Sequence, residues 1–324
     1  MVGTVSWQWR DGRAVIVVSD PPAMDQIHID AAGGPVAGEW TGSGNKLCFT
    51  PRFPPLDGIA YSVRLDDGDP WVLDSPRRDG EPTTRVIAVY PTTATVPRNQ
   101  LRLYVQFSER MSEGFAARHV RIEDARRNQT LPDVLLAMDP ELWDPSRRRL
   151  TLLLDPGRIK RGLVPHETAG YPLTEGGAIR VVVDAGFLDA RGRRLTADHI
   201  THYDVVEDQR GRVEPARWTI DAPAAGSREP LVVIFDRPLD RGLLERCVAV
   251  AGLEGTSQVA PGERSWSFVP HQPWPASELS LWIDPTLEDG AGNSIARVFD
   301  RDLSDPADDP RPSEPVYLEV RPRR

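Results

Sequence analysis

Two histidines stand three apart in His199-Ile200-Thr201-His202, a local pair in a chain of six histidines. Imidazole pairs bind transition metals when both rings reach one point. On a strand, residues three apart point to opposite faces, so His199 and His202 chelate together only on a helix. The following Tyr203-Asp204-Val205-Val206 reads as strand. A histidine site for a metal or for catalysis at a domain joint would draw on His166, His199, His202 and His271. Asp302, Asp305, Asp308 and Asp309 offer hard oxygen ligands of the kind Ca²⁺ prefers. Their spacing is not that of a helix–loop–helix calcium site, and an acidic Pro-rich loop is equally served by solvent. Ca²⁺ is the one cofactor the sequence leaves room for. The turn acids Asp284, Asp289 and Asn293 have a simpler role as turn caps.

Enzymatic signatures do not assemble. Glu141 and Asp144 are close carboxylates, but glycosidase chemistry needs two acids held across a cleft. There is no Gly-x-Ser-x-Gly elbow, no phosphate loop and no Gly-x-Gly-x-x-Gly. Cys48 and Cys247 lie far apart, and Cys48 sits in the apolar run Leu47-Cys48-Phe49, where a buried thiol is expected.

The tryptophans carry more of the binding potential. Trp7 and Trp9 share one face of the first strand. Trp282 lies out of phase between Leu281 and Ile283 and should face outward. Trp274 sits beside prolines. An exposed indole stacks on sugar rings or anchors a protein partner. The competing role is to cover a domain joint or pack under a loop.

The elements that must position these residues are short strands. The 324-residue chain is 40% hydrophobic and 27% charged, enough for cores in two or three domains. Its 31 prolines and 26 glycines break it every few residues, which suits strands and turns. A net charge of −9 repels phosphate backbones and sets nucleic acid aside as a partner. No apolar run is long enough to span a membrane as a helix. Residues 1–13 hold no apolar segment of the signal-peptide kind. That leaves two expectations: a cytoplasmic protein, or a chain that starts after its signal.

Internal repeats organise the rest. Leu103, Val105 and Phe107 alternate along one strand; Leu231, Val233 and Phe235 alternate 128 residues later. The match runs on through Phe115 with Leu243, Val120 with Val248, and Ile122 with Val250. The segments Ser112 to Arg118 and Asp240 to Arg246 each read as one short helical turn. A second block occurs as Leu47-x-Phe49-x-Pro51, Leu152-x-Leu154-x-Pro156 and Trp266-x-Phe268-x-Pro270. Each copy precedes another alternating strand, at Tyr61 to Leu65, Ile179 to Val183 and Leu279 to Ile283. The last two end in Asp184…Asp189-Ala190-Arg191-Gly192 and Asp284…Asp289-Gly290-Ala291-Gly292-Asn293, offset by 100. Period-two alternation buries one strand face and wets the other, as in an antiparallel sandwich.

Val105-Gln106-Phe107-Ser108-Glu109-Arg110-Met111 resembles the strand end of bacterial immunoglobulin-like domains of the surface-layer type. Leu150 to Pro156, Ile179 to Asp184 and the Asp189…Gly192 turn resemble the rest of that pattern. The last third of the chain repeats it with Asp236 and Leu239 in place of Ser and Met. The resemblance implies an all-β fold of three tandem immunoglobulin-like sandwiches: a shortened one at 1–82, one with a loop insert at 83–207, and one with an acidic Pro-rich loop at 208–324. It brings no catalytic residues. It implies a bacterial, extracytoplasmic structural protein, periplasmic, cell-surface or secreted, built as a rod that presents loops and edge strands to a protein or polysaccharide partner. Polar linkers are expected at Asp74 to Pro82 and Glu207 to Arg212.

Overall fold

The structure is a computed structural model. It describes residues 4–11, 13–31, 34–55, 60–65, 68–73, 81–113, 116–138, 140–311 and 314–324. Most of the first expected linker, and the Phe115 of the repeat, lie outside the described residues.

The chain is all-β. Among the described residues its strands form six sheets that pair around three large apolar cores. The first sandwich holds β1 (Val5–Arg10), β2 (Arg13–Ser19), β3 (Ile27–Ala31), β4 (Gly34–Pro35), β5 (Gly38–Ser43), β6 (Lys46–Pro51), β7 (Tyr61–Leu65) and β8 (Trp71–Leu73). Sheets β1-β2-β6-β5 and β4-β3-β7-β8 close over Ile16, Val18, Phe49 and Val63. The shortened copy therefore builds a core from its own strands.

The second sandwich holds β9 (Val86–Tyr90), β10 (Thr95–Pro97), β11 (Arg102–Phe107), α1 (Ala116–His119), β12 (Val120–Asp124), β13 (Gln129–Thr130), β14 (Leu142–Trp143), β15 (Arg149–Leu153), α2 (Pro156–Ile159), α3 (Val164–Ala169), β16 (Ala178–Val183) and β17 (His199–Val206). Its sheets are β14-β15-β11-β9 and β10-β17-β16-β12-β13. The third holds β18 (Thr219–Asp221), β19 (Leu231–Ile234), α4 (Arg241–Leu244), β20 (Val248–Val250), β21 (Gly255–Val259), β22 (Ser265–Pro270), β23 (Leu279–Ile283) and β24 (Val316–Val320). Its sheets are β18-β19-β22-β21 and β20-β23-β24.

Leu103, Val105 and Phe107 enter one core, and Leu231, Val233 and Phe235 enter the next. Glycine gives the first sandwich a match to the third. Gly38 lies opposite Pro51 and against the Phe49 ring; Gly255 lies opposite Pro270 and against the Phe268 ring. A Cβ at either would stand 2.4 Å from the aromatic Cζ, so only glycine fits there. The turn acids also repeat. Asp189 Oδ1 accepts from the Arg191 and Arg193 amides, and Asp289 Oδ1 from those of Ala291 and Asn293. Both carboxylates are buried.

The insert after Pro156 is not a plain loop. Asp155 caps α2, accepting from the Gly157 amide at 2.8 Å. His166 then ties α3 to the Arg158 carbonyl at 2.6 Å. No helix among the described residues is long and apolar enough to cross a membrane.

Candidate functional site: the joints between the sandwiches

Asn99, Arg147, Asp240 and Glu263 are polar, buried and placed where sandwiches meet. At the second joint, α4 of the third sandwich rests on the outer face of sheet β14-β15-β11-β9. The strand pattern dictates which residues wait there. Leu103 and Val105 point inward, so Arg102 and Tyr104 point outward. Tyr104 is nonetheless only 8% exposed, because the third sandwich covers it. Its hydroxyl donates to Asp240 at 2.8 Å. Asp240 is also the helix cap, accepting from the Leu243 amide at 2.9 Å. Arg102 pairs with Asp240 at 3.4 Å and with Glu288. The Arg241 guanidinium lies 5.1 Å from the Tyr90 ring centre. Gly242 faces the Tyr104 ring, where a Cβ would come within 3.1 Å.

The same joint continues on the hairpin side. Glu263 is 1% exposed, and its carboxylate accepts from the Thr92 amide at 2.7 Å and the Thr92 hydroxyl at 2.8 Å. Burial pushes the carboxyls of Glu263 and Glu288 above their ordinary range, against the hydrogen bonds from Thr92 and the charge of Arg102. Asp289 is pushed up to about 6 by burial, against the pull of Asn293 and Arg237. Burial also lifts the Tyr104 phenol, and the Asp240 charge adds to the effect.

Linker and insert complete this joint. Asn99 and Gln209 exchange hydrogen bonds of 2.8 and 2.9 Å, and Arg98 pairs with Asp208 at 2.8 Å. Burial works against the Asp208 carboxylate, but Arg98 and Arg210 outweigh it and hold its pKa low. From the insert, Arg161 grips Asp300 of the third sandwich at 2.7 Å, and Arg210 takes the same carboxylate at 2.6 Å. Lys160 sits 4.6 Å from the Phe299 ring centre. Free space at the joint is about 40 Å³, lined by Arg102, Tyr104, Asp240 and Gly290. That volume holds a water, not a substrate. The expected rod with polar linkers is thus corrected at this point. The third sandwich lies against a sheet face of the second, and the residues read as a linker are bound on both sides.

The first joint reuses the same parts. Arg147 of the second sandwich donates to the Asp11 carbonyl at 2.7 Å and to Glu113 at 3.2 Å. Arg13 pairs with Glu113. Gly192 at the tip of the acid-capped turn seats the Trp9 indole, 2.4 Å from where a Cβ would stand. Gly292, its counterpart, seats Leu101 at 2.6 Å in the same sense.

The sequence-predicted site residues separate. Trp9 covers the first joint. Trp7 meets Tyr61 edge-on at 5.1 Å between ring centres and packs against the first core. Trp274 is corrected: it is 2% exposed, packs on Phe268, and donates to the Glu229 carbonyl at 2.8 Å. It presents no face to a ligand. Trp282 is half-buried on the outer face of β23, where its phase put it.

His199 and His202 lie on β17 opposite Val183 and Arg180, on opposite faces. His199 meets the Thr201 hydroxyl at 3.1 Å. His271 is exposed beside Glu254. None of His166, His199, His202 or His271 is among the residues joining sandwiches described above. The acidic loop uses its own carboxylates: Asp302 accepts from the Ser304 amide and hydroxyl, Asp305 from the Ala307 amide, Asp308 from the Asp302 amide, and Asp309 pairs with Arg301. Among the described residues, no group of three or more His, Cys, Asp or Glu could hold a metal ion. Glu141 and Asp144 accept backbone hydrogen bonds, from Ala116 and from Arg148 and Arg149.

Sequence reasoning missed Arg102, Tyr104, Arg147, Asp240 and Glu263. One signal was present: a Tyr out of phase in an apolar strand, 128 residues before Val232.

No family model matches the chain, and no curated protein does. Among solved structures it is similar to native alpha-2-macroglobulin from Escherichia coli spanning domains MG0-NIE-MG1, at 14% identity and a TM-score of 0.27, covering 99% of this chain and 96% of that one. It is also similar to a marsupial T cell receptor (6% identity, TM-score 0.20, 98% of each chain) and to the S-layer protein rSbsC (10% identity, TM-score 0.17, 99% of this chain and 54% of that one). These TM-scores are too low for any of the three to bear on function.

Proposed function

We propose that this chain is a non-catalytic structural and binding protein of the bacterial envelope or secreted space. It holds three sandwiches at fixed angles and offers loops and edge strands to a protein or polysaccharide partner. The observation that supports this is the repeated joint: equivalent positions in the second and third sandwiches each clamp the sandwich before them, with buried, partnered polar groups. Such contacts have a defined geometry and are costly to break singly. Asp240, Glu263, Arg102 and Arg147 each have partners across a joint, and the open groove of about 750 Å³ beside the first joint is lined by Arg13, Glu113 and Glu141. Among the described residues β24 pairs with β23 alone, which leaves its other edge free along most of its length. Free edges accept a partner strand. No cofactor belongs to this reading; Ca²⁺ would have to displace the acidic loop's own hydrogen bonds.

The test is a spin-label distance measurement on the whole chain, with one label in the first sandwich and one in the third. A single narrow distance is expected, broadened by Asp240→Ala. A broad distribution in the unaltered protein would overturn the reading.

A further inference from the structure

The third sandwich carries two paired aromatic residues on an outer sheet face. Trp282 on β23 pairs in register with Tyr317 on β24, and on its other side with Ala249 on β20. Leu281 and Ile283 point into the core, so this row lies on the outer face. Tyr317 is 60% exposed. Neither the indole N–H nor the phenol O–H hydrogen-bonds another described residue.

The second sandwich supplies the comparison. Its equivalent row is Arg121, Val182 and Ile200. There Val182 is only 3% exposed. In the third sandwich alanine replaces that arginine and tryptophan replaces that valine. A row of arginine, buried valine and half-exposed isoleucine has become one of alanine, half-buried tryptophan and exposed tyrosine on the same backbone.

One step along both strands, on the same face, Ser280 pairs with Glu319. Glu319 is joined through Arg321 to Glu278, at 3.2 and 2.6 Å. Rings and polar groups thus lie side by side on the outer face of the sheet. Directly paired strand residues have Cβ atoms about 5 Å apart, comparable to the length of one pyranose ring. Aromatic faces carry partial negative charge and attract the C–H face of a sugar, while neighbouring hydroxyl, carboxylate and guanidinium groups take its hydroxyls. A net charge of −9 disfavours a polyanion.

We propose that the Trp282–Tyr317 row is a binding platform for a neutral, β-linked polysaccharide. An extended β-linked chain shows flat C–H faces to such a surface; a coiled α-linked chain does not. This rests on the proposed binding role and names its partner's chemistry.

The test is native gel electrophoresis of the whole chain in gels containing hydroxyethyl cellulose, a soluble β-1,4-glucan, or dextran, an α-linked one. Retardation is expected in the first gel only. Trp282→Ala should weaken it about tenfold, the loss of one stacking contact. Ile200→Ala, at the equivalent place in the second sandwich, should leave it unchanged. Tyr317→Ala serves as the second variant should Trp282→Ala melt early. Unretarded wild-type protein, equal retardation in dextran, or wild-type mobility shifts in both Trp282→Ala and Tyr317→Ala would each overturn the proposal. The spin-label distance does not depend on glycan, so failure here and failure of the proposed structural role are separable.

Discussion

Arg147 and Glu263 occupy the same place in successive sandwiches, and each reaches back into the sandwich before it. Met111 donates its amide to the Arg147 carbonyl at 2.9 Å, and Leu239 to the Glu263 carbonyl at 3.0 Å. Both residues have positive φ, 54° and 49°. One presents a cation to the Asp11 carbonyl; the other presents an anion to Thr92. The charge reverses while the backbone position and the task are kept. The joint is therefore a property of the fold's end surface, and the sequence fits each copy to its neighbour.

The Tyr104–Asp240 hydrogen bond should be the energetic centre of the second joint. Removing one partner of a buried, charge-assisted hydrogen bond costs about 1–3 kcal/mol. Tyr104→Phe should lower the unfolding free energy by that amount and the melting temperature with it. The double variant with Asp240→Asn should cost less than the sum of the singles, as expected for residues in contact. Additive effects in a melting series would show that the two groups act apart.

Gly192 separates backbone strain from the fit of the joint. Its φ is +76°, and that of Gly162 is +75° with nothing within 4 Å. Alanine at Gly162 should cost only the left-handed penalty, about 1–2 kcal/mol. Alanine at Gly192 pays that and also collides with Trp9. Gly192→Ala should therefore be the more destabilising of the two, and Trp9→Ala should rescue part of the difference. Equal melting temperatures for the two glycine variants would mean that Trp9 is not seated on this turn.

How far the fold was legible follows from where its information lies. Core strands announce themselves because burial alternates along them, as at Leu103, Val105 and Phe107. The repeat offsets place Asp240 opposite Ser112 and Gly292 opposite Gly192. The joints were not legible, because they depend on which outward residues meet across space. Tyr104 looks like any wet-face tyrosine until the third sandwich covers it. The helices of the insert were readable in part: Asp155-Pro156 is a cap followed by a first-turn proline, yet the stretch reads as loop when only strands are sought. Trp274 misled because prolines flank it, a neighbourhood that resembles a surface and here lies beneath one.

Trp274 and Trp282 should part company on truncation. Trp274 fills the third core, and emptying such a site costs about 3–5 kcal/mol. Trp282 lies on an outer face, so its loss should cost under about 1 kcal/mol. Urea unfolding followed by far-ultraviolet circular dichroism distinguishes them. A large loss at Trp282 would make it a packing residue and remove the ground for a stacking role.

The buried acids of the second joint should make the protein more stable at pH 5 than at pH 7. The Asp289 carboxyl stands near 6 because it is buried, against roughly 3.9 in an unfolded chain. Glu263 and Glu288 are raised in the same sense. Between those values the folded state binds more protons than the unfolded state, so stability falls as pH rises through the window. Asp208 works the other way. Arg98 and Arg210 hold its carboxyl low, and the stability it contributes is lost as pH drops below about 4. Melting temperature should therefore peak near pH 4 and decline on both sides. Asp289→Asn keeps an acceptor for the Ala291 and Asn293 amides but cannot ionise, so it should flatten the slope between pH 5 and 7 and leave the acid side unchanged. A melting temperature that rises from pH 5 to 7 would mean that these acids keep ordinary affinities, and that the joint is wetter than its packing indicates.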